Sequence, residues 1–129
     1  MDQIEVNRKF SPIILAYEGD AAYELMVRTY LLTKGDASVN TLHKRAAEFV
    51  SAAAQSSFME FLEPILEPDE LEIYHRGRNA KSHSRPKNAD MIAYRRATGF
   101  EALFGYLHLC GKGERMEQLF EYILSHRTN

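Results

Sequence analysis

Apolar residues recur every three to four positions along nearly the whole chain, and no window alternates with the two-residue period of a strand for long enough to matter. A chain so patterned buries its apolar stripes by packing helix on helix, so the expected fold is all-α. Ser11 and Pro12 open a first long helix, with Ile14, Leu15, Ala21, Ala22, Leu25, Met26 and Leu32 in register until Gly35 and Asp36 stop it. Asn40 or Ser38 can cap a second helix running to about Leu66, with Leu42, Ala46, Val50, Ala53, Phe58 and Phe61 on its inner side and Pro64 bending or breaking it near the end. Pro68, Asp69 and Glu70 suit the first turn of a third helix, which should fade near Gly77. From His75 to about Asn88 the pattern gives way to glycine, serine, asparagine and proline, which predicts a surface loop. A fourth helix is expected from Ala89 to Leu109 and a fifth from Glu114 to His126, separated by Gly111-Lys112-Gly113.

With 129 residues, no repeat and no linker-like stretch, residues 1–129 read as a single domain. The composition, 45% apolar and 26% charged with a net charge of -2, is that of a folded globular chain and excludes a disordered one. No apolar run reaches the roughly 18 residues of a spanning helix, and the N-terminus is acidic where a signal peptide is basic, so a cytoplasmic protein without a membrane partner is expected. The single cysteine, Cys110, forbids an internal disulfide and a cysteine-based zinc site. Its place in the apolar run Leu107-His108-Leu109-Cys110 reads as core.

Most acids, Glu67, Asp69, Glu70, Glu114, Glu117 and Glu121 among them, fall in helix first turns or on polar faces and require no function. Asp20 and Glu101 do not fit that description. Asp20 follows Gly19 in an apolar helix, and Glu101 lies between Gly99 and Gly105 in another. Glycine inside a helix costs about 1 kcal/mol relative to alanine, so Gly19, Gly99 and Gly105 imply close helix packing or backbone approach to a ligand, and Ala16, Ala21, Ala22, Ala97 and Ala102 beside them imply two helices pressed together. Carboxylates between such helices need a partner. A hard divalent cation such as Mg²⁺, which takes one or two carboxylates and fills its other positions with water and phosphate oxygens, meets that need. An ion pair to Arg28, Arg95 or Arg96 is the alternative.

Leu15-Ala16-Tyr17-Glu18-Gly19-Asp20-Ala21 resembles the signature helix of ribonuclease III, and Gly99-Phe100-Glu101-Ala102-Leu103-Phe104-Gly105 resembles that family's second acidic helix. Leu42-His43-Lys44-Arg45, Val50-Ser51-Ala52, Gln55, Arg76 to Lys81, Pro86-Lys87-Asn88 and Tyr94-Arg95 are similar, in order, to patterns of the Mini-III ribonucleases, which have the catalytic domain and no double-stranded-RNA-binding domain. The resemblance implies the ribonuclease III endonuclease fold of about five to seven helices, a homodimer holding an RNA duplex in a valley, and Asp20 and Glu101 as catalytic, Mg²⁺-holding carboxylates. Ribonuclease III usually has a further Glu four residues before the signature Asp and an Asp three residues before the second Glu; here Ala16 and Thr98 stand there, as in Mini-III enzymes, which puts the number of metal ions in doubt.

The same resemblance implies an endoribonuclease for double-stranded RNA that leaves 5′-phosphate and 3′-hydroxyl ends, with the termini of precursor 23S ribosomal RNA as its substrate. The alternative is a non-catalytic RNA-binding or ribosome-assembly protein on the same fold. Positive charge concentrates between residues 76 and 96, where Arg76, Arg78, Lys81, Arg85, Lys87, Arg95 and Arg96 meet only one acid, Asp90. Arg76, Arg78, Asn79, Lys81, Arg85, Lys87, Asn88 and Arg95 are therefore the expected RNA contacts, since duplex RNA is read mainly through phosphates and 2′-hydroxyls. His43, His75 and His83 read as solvated or hydrogen-bonding. The small contact area leaves specificity to loop shape or to a ribonucleoprotein context, with a ribosomal protein on the substrate as a candidate partner. An independent sign of dimerisation is the set Tyr17, Tyr23, Tyr30, Phe100, Phe104 and Tyr106, more aromatic surface than a small core needs unless all are core.

Overall fold

A computed structural model describes residues 1–81 and 90–127. Among them are α1 (Gln3–Lys9), α2 (Pro12–Thr33), α3 (Val39–Val50), α4 (Ala52–Leu62), α5 (Pro68–Arg78), α6 (Met91–Leu109) and α7 (Gly113–His126), with a single 3-10 turn at Glu63–Ile65 and no strand. The all-α expectation holds.

Helix α6 is the centre. It packs against α2 most extensively and also against α5, α4 and α7. Every residue from Ala97 to Leu107 is buried except Glu101. Phe100 and Phe104 meet Tyr23 of α2 at ring-centroid distances of 4.7 and 5.1 Å, an aromatic cluster completed by Phe49 and Phe120. Such large side chains coexist with very close helix contacts because glycines supply the crossings. A β-carbon on Gly19 would overlap the Glu101 carbonyl, and one on Gly105 would overlap the Leu15 carbonyl, so α2 and α6 touch backbone to backbone. On the other side of α6, a β-carbon on Gly77 would sit 2.9 Å from the Gly99 Cα.

The structure corrects several boundaries. The second expected helix is two helices, α3 and α4, because Ser51 takes extended geometry (φ -64°, ψ 153°) and its hydroxyl accepts the Ala54 N–H as the cap of α4. Ser38, rather than Asn40, caps α3, and Pro64 falls in the 3-10 turn. Helix α5 ends at Arg78, one residue past the expected fading near Gly77, so the loop expected from His75 begins later. Helix α1, capped by Asp2, has no counterpart among the helices expected from periodicity.

Glu70, expected to be an ordinary first-turn acid, is only 3% exposed. It closes a capping box with Glu67 and receives Arg115 of α7 through two bonds of 2.8 Å, while Arg115 also donates to the Ile65 carbonyl at 3.1 Å. Cys110 is partly buried against the core, and burial pushes its thiol upward, in keeping with its expected role.

Candidate active site

Helix α2 turns Leu15, Ala16, Gly19, Tyr23, Val27 and Leu31 inward and leaves Ile14, Tyr17, Leu25 and Leu32 exposed on the opposite side. Asp20, next to the buried Gly19, is exposed at the border between these faces. Because Gly19 permits backbone contact with Glu101, the two acids expected to work together are brought together. The charge of Asp20 and the side-chain amide of Gln55 on α4 both act on the Glu101 carboxyl. Burial, reinforced by the charge of Asp20 and a hydrogen bond to it, raises the Glu101 pKa from its ordinary 4.5 to about 8, against the lowering effect of Gln55.

The alternative of structural ion pairs fails. Among the described residues Arg28 pairs with Glu24 at 2.6 Å, and neither Arg95 nor Arg96 forms an ion pair with Asp20 or Glu101. Nor do the described residues include a group of three or more His, Cys, Asp or Glu placed to hold a metal. What remains is a two-carboxylate set of hard oxygen donors, one of them forced toward its neutral acid by burial and by the other. That electrostatic deficit fits a divalent cation, which prefers oxygen ligands and stabilises both charges. At the two departures from the ribonuclease III pattern, Ala16 is buried and the Thr98 hydroxyl donates to the Tyr94 carbonyl at 3.0 Å, committed to its own helix. Elsewhere on the α2–α6 contact, Glu18 meets His108 Nδ1 at 2.7 Å and ties α2 to the end of α6.

The expected RNA contacts are less concentrated. Arg76 and Asn79 line one shallow pocket of ≈ 480 Å³ with Pro68, Leu71, Glu72 and His75. Arg78 instead lies 5.7 Å from the Tyr74 ring and donates to the Asn79 side chain at 3.2 Å. Helical geometry is the reason, because residues two apart on α5 point to different sides. Lys81 is exposed and Arg95 half-buried in the second turn of α6, while Arg85, Lys87, Asn88 and His83 lie outside the described residues. His43 is exposed on α3, and His75 is half-buried, 4.0 Å from Glu63. The aromatic sign of dimerisation is corrected: Tyr23, Phe100, Phe104 and Tyr106 are wholly core, Tyr30 is partly so, and Tyr17 alone of the six is strongly exposed at 79%. The residue to which the sequence alone assigns no role is Gln55. Its only signals are its place in a family pattern and its position one turn after Ser51.

The helical architecture, with acidic side chains meeting where two helices cross, is that of the ribonuclease III type. A protein of Fusobacterium nucleatum with a crystal structure superposes with a TM-score of 0.83 at 29% identity, covering 92% of this chain and 96% of that one. The Ribonuclease III domain family matches residues 14–112. A Mini-ribonuclease 3 of Brevibacillus brevis is 50% identical over 86% of this chain and 83% of its own length. The Mini-ribonuclease 3 proteins of Enterococcus faecalis and Streptococcus pneumoniae are 47% and 45% identical, over 91% and 94% of this chain and 90% and 95% of their own. The chain belongs to the Mini-ribonuclease 3 branch of the ribonuclease III family, and it is an endoribonuclease. The alternative of a non-catalytic RNA-binding or ribosome-assembly protein is thereby set aside.

Proposed function

We propose that this endoribonuclease cleaves double-stranded RNA with Mg²⁺ held by Asp20 and Glu101, leaving 5′-phosphate and 3′-hydroxyl ends, and that its substrate is the stem pairing the ends of precursor 23S ribosomal RNA. The observation that carries the reading is the carboxylate pair itself: Glu101 is the one residue of the buried α6 run that is not buried, and the charge of Asp20 acts on it directly. Enzymes of this family generally depend on a divalent metal and act on double-stranded RNA. A bound Mg²⁺ supplies Lewis-acid polarisation of the scissile phosphate and an acidified water.

The chain's own contribution is positional. Gly19 and Gly105 fix the separation of the two helices and hence of the carboxylates. Asp20, exposed, faces arriving substrate, and Glu101, more enclosed, holds the inner side. Arg76, Arg78, Asn79, Lys81, Arg85, Lys87, Asn88 and Arg95 offer donors to phosphates and 2′-hydroxyls along the duplex, so affinity falls steeply with salt. A homodimer is supported by α2, which is apolar on both sides; a helix of that kind buries its second face against a partner.

The test is cleavage of a defined RNA duplex in Mg²⁺ or Mn²⁺. Asp20→Asn lowers the rate by about a thousandfold or more, the several kcal/mol that a catalytic metal contributes, while circular dichroism stays native. An Asp20→Asn protein with undiminished cleavage overturns the assignment.

A further inference from the structure

The end of α2, the middle of α3 and Arg127, which caps α7, meet around a cavity of ≈ 390 Å³ whose lining includes Tyr30, Lys34, Arg45, Glu48 and Phe49. Its inner side is aromatic. Phe49 is buried and packs against Tyr30 at a ring-centroid distance of 5.8 Å, and the buried Tyr23 hydroxyl fixes it by donating to its carbonyl at 3.0 Å. The Arg127 guanidinium lies 4.2 Å from the centre of the Phe49 ring, and Lys34 Nζ lies 5.2 Å from that of Tyr30. Three cations thus share one cavity with a single carboxylate, Glu48. Among the described residues none of these four side chains forms an ion pair or a hydrogen bond. Helix C-termini favour cations, which is one reason for Lys34 and Arg127 to stand where they do. It does not explain Arg45 in the middle of α3. Nor are the two end cations spent as caps. The Leu31 and Leu32 carbonyls receive the N–H groups of Lys34 and Gly35 at 3.1 and 3.2 Å, and the Ile123 carbonyl receives that of Arg127 at 2.9 Å.

We propose that this cavity binds a terminal phosphate, the dianionic head of a phosphate monoester. The lining leaves an excess of two positive charges. A phosphate monoester carries close to two negative charges at neutral pH, and a backbone phosphodiester carries half of that. Guanidinium forks pair with two phosphate oxygens at once, and the lysine adds a point charge. Shape makes the same choice: a concave site admits a small molecule or a chain end, whereas the phosphates of a duplex stand on a convex surface. Lys34 lies almost four turns beyond Asp20 along α2, roughly 20 Å away, so this cavity is separate from the cleavage site. A free mononucleotide and the 5′-phosphorylated end of an RNA strand both offer the required group.

Calorimetric titration in metal-free buffer compares inorganic phosphate, adenosine 5′-monophosphate, adenosine 3′,5′-cyclic monophosphate, and a short single-stranded RNA with and without a 5′-phosphate. The cyclic nucleotide keeps the nucleoside and has only a singly charged diester. Wild type binds the 5′-monophosphate about tenfold or more tighter than the cyclic form, or the 5′-phosphorylated strand tighter than the 5′-hydroxyl strand by a similar factor. The first result identifies a small-molecule site, and the second, found alone, a site for RNA ends. Arg45 is exposed, so Arg45→Gln keeps the thermal midpoint while weakening the phosphate ligand about tenfold; Glu48→Gln tightens it. Wild type that binds none of these at millimolar concentration overturns the proposal. So does equal affinity within both pairs, or unchanged affinity in Arg45→Gln. Binding that Asp20→Asn loses and Arg45→Gln keeps puts the phosphate at the cleavage site and overturns it as well.

Discussion

Gly19 and Gly105 face each other across the α2–α6 crossing so closely that a β-carbon on Gly19 would lie 2.7 Å from the Gly105 nitrogen, and one on Gly105 would lie 2.9 Å from the Gly19 nitrogen. Both obstacles are main chain, which no rotamer change can move aside. Gly19→Ala or Gly105→Ala therefore drives the helices apart, with a loss of about 3 kcal/mol or more from overpacking. Urea denaturation measures it. Because Glu101 is carried on one of these helices and Asp20 on the other, cleavage falls further than the folded fraction does.

Glu101 makes the metal-free protein sensitive to pH in an uncommon direction. Its folded-state pKa of about 8 exceeds the ordinary 4.5, so between these values the folded state holds a proton that the unfolded chain has released. Stability is therefore greatest at and below about pH 4.5 as far as this group is concerned, and declines as pH rises through about 8, by on the order of 1 kcal/mol per pH unit. Unfolding midpoints measured in chelator across that window show the decline, and Glu101→Gln removes it. Adding Mg²⁺ to wild type also removes it, because a cation favours the ionised carboxylates.

Arg115 holds Glu70 by two bonds of 2.8 Å; the arginine side chain is 23% exposed and that of Glu70 only 3%. Arg115→Met leaves a buried carboxylate without its cation and destabilises the protein by about 3 kcal/mol. Glu70→Gln in the same chain recovers much of that loss. Equilibrium denaturation of the single and double variants forms the cycle that checks it.

On the outer side of α2, Leu25 is 66% exposed between Tyr17 and Leu32. In a homodimer joined through this face, Leu25→Asp converts the sedimentation behaviour from dimer to monomer and lowers thermal stability in a concentration-dependent way. A monomeric wild type at micromolar concentration contradicts the arrangement.

The periodicity of the sequence is enough for the fold class, for α2, α5, α6 and α7 to within a few residues, and for the pairing of Asp20 with Glu101, because glycine inside an apolar helix has few explanations. Other features are hidden for physical reasons. The apolar spacing continues across Ser51, so nothing in the pattern marks the break; a serine there serves equally well as a mid-helix residue or a cap. Glu70 and Arg115 lie 45 positions apart, and a first-turn glutamate looks the same whether or not an arginine from another helix covers it. Tyr23, Phe100, Phe104 and Tyr106 are ambiguous between core and interface because helical spacing gives a face and not its neighbour. Gln55 stands out only through its place in the family pattern, since an uncharged amide carries no chemical signal of its own until its burial is known.

Helix α6 is enclosed by α2, α4, α5 and α7, and it carries Glu101 at its middle. The carboxylate proposed to hold the metal and the last part of the molecule to open thus lie on the same helix. Amide hydrogens around Glu101 should exchange only through global unfolding, whereas those of α1 exchange through local opening. Heat inactivation and loss of fold then coincide in one transition, and the freedom to vary RNA preference resides in the segments outside this helix.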